Sequence, residues 1–356
     1  MEIIWAVLLL AILVAVHEAG HFWAARATGI AVKEYAIGFG PKLIGWKSKK
    51  HETDFSIRVI PFGGFCAFYG EDDVKGEEKD DPRCFGKQKL WKRMITILMG
   101  PGMNFLLAFV VALFFYWIGG VNVATGVDPY IAEVAGAGPA YSAGLRDGDV
   151  VETVNGVSML DGTVDTLLNT ISQWKEEDGP LRMQVLREGE RLELEVTPQW
   201  DEAEKKMRIG VMIGGRYRTE NRKVGFLGAA GSAWNLCVSA SGAILEALRN
   251  LVTTGEGLDQ TSGPVGIVRM VSGEVREGGF SAFVQLLTLI SIYLGLMNLL
   301  PSPGLDGSRL VFGLIEWIRR KPVPPEKEAM VNMAGMVFLF GILIFFTFQD
   351  VMRIFQ

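Results

Sequence analysis

The sequence is poor in cysteine and histidine, and both shortages narrow what the protein can be. Only three of its 356 residues are Cys and only three are His. Cys66, Cys84 and Cys237 lie far apart in no metal-binding or disulfide spacing, and an odd count is untypical of a disulfide scaffold. A net charge of −5 gives no sign of a basic binding surface, so we expect no nucleic-acid partner.

The N-terminus lacks the features of a cleaved signal peptide. No basic residue precedes the apolar run at residues 3–16, and no small-residue cleavage site follows it cleanly. Because signal peptides carry both features, we interpret the run as part of a retained helix. Apolar residues are abundant, since 49% of the chain is hydrophobic and its mean hydropathy is +0.26. These values indicate a membrane protein.

Two of the three histidines stand in one short motif. His17, Glu18 and His21 form the pattern H-E-x-x-H. On a helix, residues four apart share a face, so the two imidazoles can bind one metal ion together. Neutral imidazole suits Zn²⁺, and the adjacent carboxylate can take a proton from water at the ion. The motif ends an apolar run, where ionisable groups are costly and usually functional. A pair of core histidines is the alternative.

Hydropathy predicts a polytopic α-helical membrane protein with about four transmembrane helices. The predicted spans are residues 3–25, 91–118, 280–300 and 330–348. Residues 224–251 carry apolar residues at helical spacing among small ones, which favours an amphipathic helix on the membrane surface. A fifth span is the second option for that segment.

The first and second predicted spans are joined by a segment with the character of strands. In residues 33–69, side chains alternate in the manner of strands, and glycines and prolines interrupt this pattern. This pattern predicts a small membrane-associated β segment, for which a plain cytoplasmic loop is the alternative. Residues 71–81 are strongly charged, so we expect a solvated loop there.

The second predicted span contains small residues and one amide. Gly100, Pro101 and Gly102 are expected to interrupt the helix, and Asn104 is expected to face the bundle or the site. A packing kink without a functional role is the alternative.

Residues 123–215 form a soluble insertion of mixed charge that resembles a PDZ domain of bacterial proteases. The pattern is A-G-L-x-x-G-D-V at residues 143–150, followed by V-N-G at residues 154–156. Asn155-Gly156 predicts a tight turn between strands, and residues 182–196 alternate as two strands. The resemblance implies that an extended peptide adds a strand to this domain. A PDZ-like fold without a working peptide groove is the alternative.

Basic residues predict the orientation in the membrane. The loop between the first two predicted spans carries fourteen Lys and Arg residues, and the loop between the last two carries five. By the positive-inside rule both loops are cytoplasmic. His17 and His21 then lie near the cytoplasmic end of the first helix, and the PDZ-like insertion is extracytoplasmic.

Asp306 is the candidate for a third metal ligand. A catalytic zinc site has three protein ligands and an open position. Asp306 follows the third predicted span, so it lies at the same membrane level as the two histidines. Prolines and glycines break the helix just before it, and broken backbone at this depth must be buried or line a cavity. The alternative is a turn aspartate that caps the next helix.

These motifs together resemble the site-2 protease family of intramembrane zinc metalloproteases, in its bacterial PDZ-containing branch. The matching elements are H-E-x-x-H, the β segment, G-P-x-x-N at residues 100–104, the insertion, and N-x-x-P-x-x-x-L-D-G at residues 298–307. The resemblance covers nearly the whole chain. It implies three regions: a catalytic membrane half at residues 1–118, a PDZ domain at residues 123–215, and a second membrane half at residues 220–356.

The resemblance also implies roles for single residues. It assigns zinc to His17, His21 and Asp306, and the general base to Glu18. Further residues are expected to position the substrate or shape the ligand loop: Asn104, Asn298, Pro301 and Gly307. Two positions depart from the usual pattern of this branch, Gly304 and Ser308. Neither departure touches a ligand, so activity is still expected.

The implied reaction is cleavage of transmembrane segments of single-pass proteins in the lipid bilayer of the bacterial inner membrane. Anti-sigma factors and remnant signal peptides both fit as substrates. A helix hides its carbonyl groups, so the segment around residues 61–69 is expected to pair with an unwound substrate. One competing hypothesis is a membrane-anchored PDZ peptide-binding module without proteolysis, which the intact Glu18 disfavours. The other is a metal transporter, which the lack of an internal repeat disfavours.

Overall fold

The computed structural model divides the chain into two compact units, which are Met1–Gly119 with Val224–Gln356, and Gly120–Lys223. We call them the helical unit and the inserted unit. The structure describes all residues except 1, 50–51, 72–80, 137, 161–163, 203–204, 256–262 and 353–356.

Long helices dominate the helical unit, and short strands dominate the inserted unit. The elements are numbered along the chain as α1 Glu2–Thr28, β1 Val32–Lys47, β2 Asp54–Phe68, α2 Leu90–Gly119, β3 Val121–Val134, α3 Pro139–Ser142, β4 Val150–Val154, β5 Val157–Ser158, α4 Val164–Ser172, β6 Leu181–Arg187, β7 Glu190–Val196, β8 Gln199–Asp201, β9 Lys206–Arg208, β10 Val211–Arg222, α5 Phe226–Thr253, α6 Pro264–Leu299, α7 Asp306–Arg319 and α8 Pro325–Met352. Short 3₁₀ helices occupy Phe85–Lys87 and Glu176–Asp178.

Five described helices are long and apolar enough to cross a membrane: α1, α2, α5, α6 and α8. Four of them contain the predicted spans, and α5 contains the segment for which a surface helix was predicted. With its β segment, the chain is therefore a polytopic membrane protein with a β-rich part.

The predicted interruption of the second span was wrong. Gly100–Gly102 does not interrupt α2, because Pro101 lies inside a continuous helix. One proline removes a single backbone hydrogen bond, which neighbouring helices in a membrane can offset. The third predicted span, at residues 280–300, begins directly after the kink of α6 at Gly279, and the part of α6 from Pro264 to this kink was not predicted as a helix. Gly279 has φ 60° there, a conformation that glycine adopts without steric cost.

The core of the helical unit joins α1 and α6. Leu9 and Leu13 of α1 are fully buried and pack with Val271 and Leu287 of α6. Helix α2 crosses both, and it runs antiparallel to α6. The Ser291 hydroxyl donates to the Asn104 carbonyl oxygen, and Gly295 lies against Pro101 and Phe105.

The predicted β segment is a small sheet of β1 and β2 beside α1. Ala36 pairs with Phe65 on one side and with Ser56 on the other, so residues 64–68 form an edge of this sheet. The Tyr35 hydroxyl donates to the Ala15 carbonyl oxygen of α1 at 2.7 Å, which fixes the sheet to that helix. The predicted charged loop at residues 71–81 lies mostly outside the described residues.

The inserted unit is a sheet in the order β10-β3-β4-β6-β7 with one face covered by α4. Its core includes Ile131, Val151, Leu167 and Val185, all fully buried. The predicted hairpins are present. Asn155-Gly156, with φ of 49° and 79°, joins β4 to β5, and Glu188-Gly189 joins β6 to β7.

Candidate active site

Helix α1 presents two histidines from one face. His17 and His21 are one helical turn apart, and each is less than a tenth exposed. Their Nε2 atoms lie 3.3 Å apart. The rings meet edge to face at 84°, so the two Nε2 atoms converge on one point beside the helix.

Asp306 reaches the same point from the connection between α6 and α7. Its Oδ2 lies 3.1 Å from Nε2 of His17 and 3.2 Å from Nε2 of His21. The chain turns sharply to deliver it, and the next residue must be glycine. A Cβ on Gly307 would lie 1.9 Å from the Leu300 carbonyl oxygen. Asp306 is also the first residue of α7, so the predicted ligand position coincides with a helix start.

The three atoms form a triangle of the size that tetrahedral zinc requires. Ligands about 2.0–2.1 Å from a tetrahedral ion lie ~3.3 Å from each other, and the three edges here measure 3.1, 3.2 and 3.3 Å. These are the only His, Cys, Asp or Glu side chains in the described part of the chain that converge in this way. The residues present therefore fit a zinc ion.

The His21 ring is fixed by the turn of α2 that precedes Pro101. The Thr96 carbonyl oxygen lies 2.9 Å from Nδ1, and a carbonyl can only accept, so Nδ1 carries the proton and donates it. Nε2 then presents a lone pair. The approach of α2 is close, because a Cβ on Gly100 would lie 2.2 Å from Nε2 of His21.

The His17 ring is fixed by a side chain of α2. The Asn104 amide nitrogen lies 3.2 Å from Nδ1 of His17, and Asn104 is fully buried. The Ser291 hydroxyl donates to the main-chain carbonyl oxygen of Asn104 at 2.7 Å. This bond ties α6 to α2 at the residue whose side chain contacts the candidate metal ligand.

A cavity of about 270 Å³ opens beside the triangle. Glu18 lines it next to both histidines. The edge strand of the small sheet forms one wall, and a Cβ on Gly64 would lie 3.2 Å from the Glu18 side chain. The other described lining residues are Phe65, Cys66, Phe68, Asn298, Gly304, Leu305, Arg309, Asn332 and Met336.

The remaining predicted site residues lie at different distances from this cavity. Asn298 lines it, and its amide donates to the Leu294 carbonyl oxygen one turn earlier in α6. Asn104 contacts His17 and does not line the cavity. Pro301 is exposed and does not line it either. The catalytic, metal-binding and substrate-positioning roles stay predictions for all of them.

Sequence reasoning missed four residues near the site. Thr96 acts through its carbonyl oxygen, which every residue type has, so no motif could reveal it. Ser291 reads as an ordinary small residue in an apolar helix. Arg309 and Asn332 line the cavity. Their only signal in the sequence was that both are polar residues close to the membrane level of Asp306.

The whole chain is similar to known proteins. It matches peptidase family M50 over residues 5–342. It is 32% identical over 420 residues to the regulator of sigma-W protease RasP of Bacillus subtilis (strain 168), with 96% of each chain covered. The same identity and coverage relate it to the zinc metalloprotease RasP of Geobacillus kaustophilus. The zinc metalloprotease RasP of Bacillus licheniformis is 30% identical over 427 residues, with 98% of each chain covered.

Proposed function

This chain belongs to peptidase family M50, and we propose that His17, His21 and Asp306 hold its zinc ion while Glu18 is the general base. As a member of that family, the protein is an intramembrane zinc metalloprotease. The observation that carries the residue assignment is the triangle of ligand atoms, with edges of 3.1, 3.2 and 3.3 Å.

Glu18 moves the proton in this reaction. When bound, zinc acts as a Lewis acid on the scissile carbonyl and makes water acidic enough to attack near neutral pH. The Glu18 carboxylate lines the same cavity as the three ligands. It takes a proton from the attacking water and delivers that proton to the leaving amine. The cavity walls of α1, β2 and α6 keep the surrounding bilayer away from these groups.

Helix α2 sets the protonation of both imidazoles. A zinc-binding Nε2 needs its proton on Nδ1, and a hydrogen-bond acceptor there raises the affinity of the ligand. The Thr96 carbonyl oxygen is that acceptor for His21. For His17 the neighbour is the Asn104 amide, whose oxygen and nitrogen are distinguished only by their hydrogen bonds. We assign the oxygen to the face of His17.

The edge strand at residues 64–68 is proposed to bind the substrate backbone. An extended peptide gains affinity by adding to an exposed sheet edge. Residues 64–68 pair with β1 on one side, and Gly64, Phe65 and Cys66 line the cavity beside Glu18. A substrate paired here would be unwound at the point of attack. The Tyr69 N–H donates to the Ala31 carbonyl oxygen beside β1, so the alternate N–H groups of residues 64, 66 and 68 face the open edge. Proline at position 66 would remove one of these donors, and cleavage rates unaffected by it would argue against this pairing.

Four membrane spans are proposed, with α5 on the membrane surface. Trp117 near the end of α2 meets Phe226 at the start of α5 edge to face. The Asp350 carboxylate near the end of α8 accepts a hydrogen bond from the Gly266 N–H at the start of α6. Helices α5 and α6 therefore begin on the same side, away from the zinc ligands. If α5 spanned, residues 254–263 would have to return across the bilayer as irregular backbone, whose polar groups lipid cannot satisfy. Their reach of ~36 Å when extended is also short of the ~40–45 Å of a bilayer with its headgroup regions. If a Thr253→Cys variant were labelled at this position by a thiol reagent from the cytoplasmic side, this arrangement would be contradicted.

The inserted unit is proposed to be a PDZ domain on the extracytoplasmic side. Strand β10 is an edge of the sheet, and a groove of about 250 Å³ separates it from α4. Apolar side chains line this groove, including Leu168, Ile171, Ile209 and Val211. An extended peptide fits there as an added strand. If Leu168→Lys leaves the binding of apolar C-terminal peptides unchanged, the groove is elsewhere.

The substrate class is proposed to be single-pass proteins of the bacterial inner membrane, with the active site toward the cytoplasm. One relative is named a regulator of sigma-W protease, which supports an anti-sigma factor as the substrate. Remnant signal peptides have the same architecture and are the second candidate. The basic loops that flank α1, α2 and α8 support the cytoplasmic orientation of the site.

The test uses the full chain purified in detergent and a model single-pass substrate. Wild type, Glu18→Gln and Asp306→Ala are compared, with and without a zinc chelator. We expect Glu18→Gln to bind one zinc per chain and to lose cleavage, and Asp306→Ala to lose both. Cleavage by Glu18→Gln at the wild-type rate would refute the assignment. Two results together would favour the binding-module alternative: the inserted unit binds a peptide, and the Glu18→Gln variant keeps its cellular role.

A further inference from the structure

A second cavity continues the active-site cavity toward the cytoplasmic loops. It measures about 540 Å³ and lies wholly within the helical unit. Arg309 and Asn332 line both cavities. The other walls are the first turns of α2, one face of α7, and the connection from α7 into α8. None of these residues belongs to the proposed zinc site.

The edge strand leads from the first cavity into the second. Gly64 lies against Glu18, while Gly70 and Glu71, just beyond the strand, line the second cavity. At about 3.3 Å per residue, the strand from Gly64 to Phe68 covers ~13 Å, and a turn in which the Glu71 N–H donates to the Phe68 carbonyl oxygen then brings Gly70 and Glu71 to the second cavity. A substrate paired with this edge would therefore place residues about four to seven positions from the cut bond in the second cavity.

Among its described lining residues, the second cavity carries three acidic and two basic side chains. Arg93 pairs with Glu316, and Arg309 pairs with Glu71. Glu328, in the first turn of α8, is half-buried in the same cavity. No residue that the structure describes forms a hydrogen bond or an ion pair with its carboxylate. The cavity thus holds a partly desolvated carboxylate without a direct ion pair among the described residues, and Arg309 and Arg93 act on it only from beyond ion-pair distance.

Single-pass membrane proteins carry Lys and Arg on their cytoplasmic flank, whichever terminus is inside. We propose that the second cavity is a subsite for a basic residue in this flank, with Glu328 as its partner. The inference rests on the proposed proteolysis and its cytoplasmic orientation. The subsite selects substrates by a Lys or Arg about four to seven residues from the cut bond, on the cytoplasmic side.

The test varies the charge of the substrate and of the subsite together. Model single-pass substrates carry Lys, Gln or Glu at the flank positions, and they are cleaved by wild type, Glu328→Gln and Glu328→Lys. Glu326→Lys is the matched control, because Glu326 is exposed on the same helical turn and does not line the cavity. The same substrates are titrated against zinc-loaded Glu18→Gln, and against its double variant with Glu328→Lys, by fluorescence anisotropy.

We expect wild type to cleave the Lys substrate with a kcat/KM about fivefold above that of the Glu substrate, the size of a partly exposed ion pair. Glu328→Gln should weaken this preference, Glu328→Lys should reverse it, and Glu326→Lys should keep it. The anisotropy titrations should show the same order.

The subsite would be overturned if Glu328→Lys kept the wild-type preference for the Lys substrate over the Glu substrate. It would also be overturned if Glu328→Lys and Glu326→Lys changed this preference equally. These outcomes are distinct from failure of the proposed function. That failure appears as cleavage by Glu18→Gln at the wild-type rate, whatever charge the substrate carries.

Discussion

The apolar helices of the helical unit fall into an inner and an outer group. In the most apolar stretch of each helix, 39% of α1, 39% of α2 and 33% of α6 is buried, against 6% of α5 and 6% of α8. The inner group carries His17, His21 and the residues that fix their rings. The outer group contributes only the side of α8 that lines the site cavity.

This difference follows from what each group has to do. A metal site needs ligands held to within about half an ångström, which rings locked by packing and hydrogen bonds provide. Thr96 and Asn104 meet this need from α2, and Ser291 supports Asn104 from α6. The proposed substrate helix would approach the same site from the bilayer, and α8, which lines the site cavity, is far less buried than α1, α2 and α6.

Replacing a glycine by alanine should reduce zinc affinity and cleavage far more in the inner helices than in the outer helices. This is the largest effect we predict. Gly100→Ala places a Cβ 2.2 Å from Nε2 of His21. The Thr96 bond prevents an easy retreat of the ring, so we expect zinc affinity and kcat/KM to fall by about a hundredfold or more. Zinc content by mass spectrometry and cleavage of the model substrate measure the change.

The controls are glycines on the outer helices. A Cβ on Gly242 of α5 or Gly341 of α8 meets no atom within 4 Å. Alanine at these positions should leave zinc content and cleavage close to wild type. If Gly341→Ala impaired the enzyme as much as Gly100→Ala, the division into inner and outer helices would be wrong.

A second prediction compares two asparagines that the sequence placed in one class. Asn104→Leu removes the partner of His17 Nδ1, so zinc affinity should fall about 10- to 100-fold. Asn298→Leu removes an amide that lines the cavity without touching a ligand, so zinc should stay bound while KM for the substrate rises. Competition with a fluorescent chelator and steady-state cleavage separate the two effects.

The opposite result would mean that Asn104 and Asn298 each have the role proposed for the other. Loss of zinc in Asn298→Leu with normal zinc in Asn104→Leu would mean that α6, and not α2, holds the His17 ring.

Much of this site could be predicted from the sequence because its determinants are periodic or topological. His17 and His21 follow from helical spacing, and the convergence of Asp306 on them follows from the charge of the loops that set its membrane level. Hydropathy predicted four of the five long apolar helices as spans, and it left α5 ambiguous because of its small residues.

The rest depends on contacts that no local pattern encodes. The continuity of α2 through Pro101 depends on neighbouring helices, whereas the sequence shows only a helix breaker. The start of α6 at Pro264 depends on Asp350 of α8, which lies 84 positions beyond Gly266. The second cavity is assembled from three separate segments. Its wall residues therefore read as ordinary loop charges until the chain is folded.

The smallest predicted effect concerns Ser308 of α7, which links the Asp306 turn to α8 of the outer group. Its hydroxyl lies 2.9 Å from Oδ1 of Asn332 on α8 and 2.8 Å from the Leu305 carbonyl oxygen, and it donates to one of them at a time. Ser308→Gly removes a bond worth about 1 kcal/mol, without touching a zinc ligand. We therefore expect normal zinc content, faster amide exchange in the first turns of α8, and a kcat/KM altered by about two- to fivefold.

Thr347→Val is the control, because that hydroxyl bonds within α8. Asn332→Ala should produce the same change as Ser308→Gly, and the double variant should add little to either. Fully additive effects would mean that the two side chains act separately and that α8 is held to the Asp306 turn by packing alone.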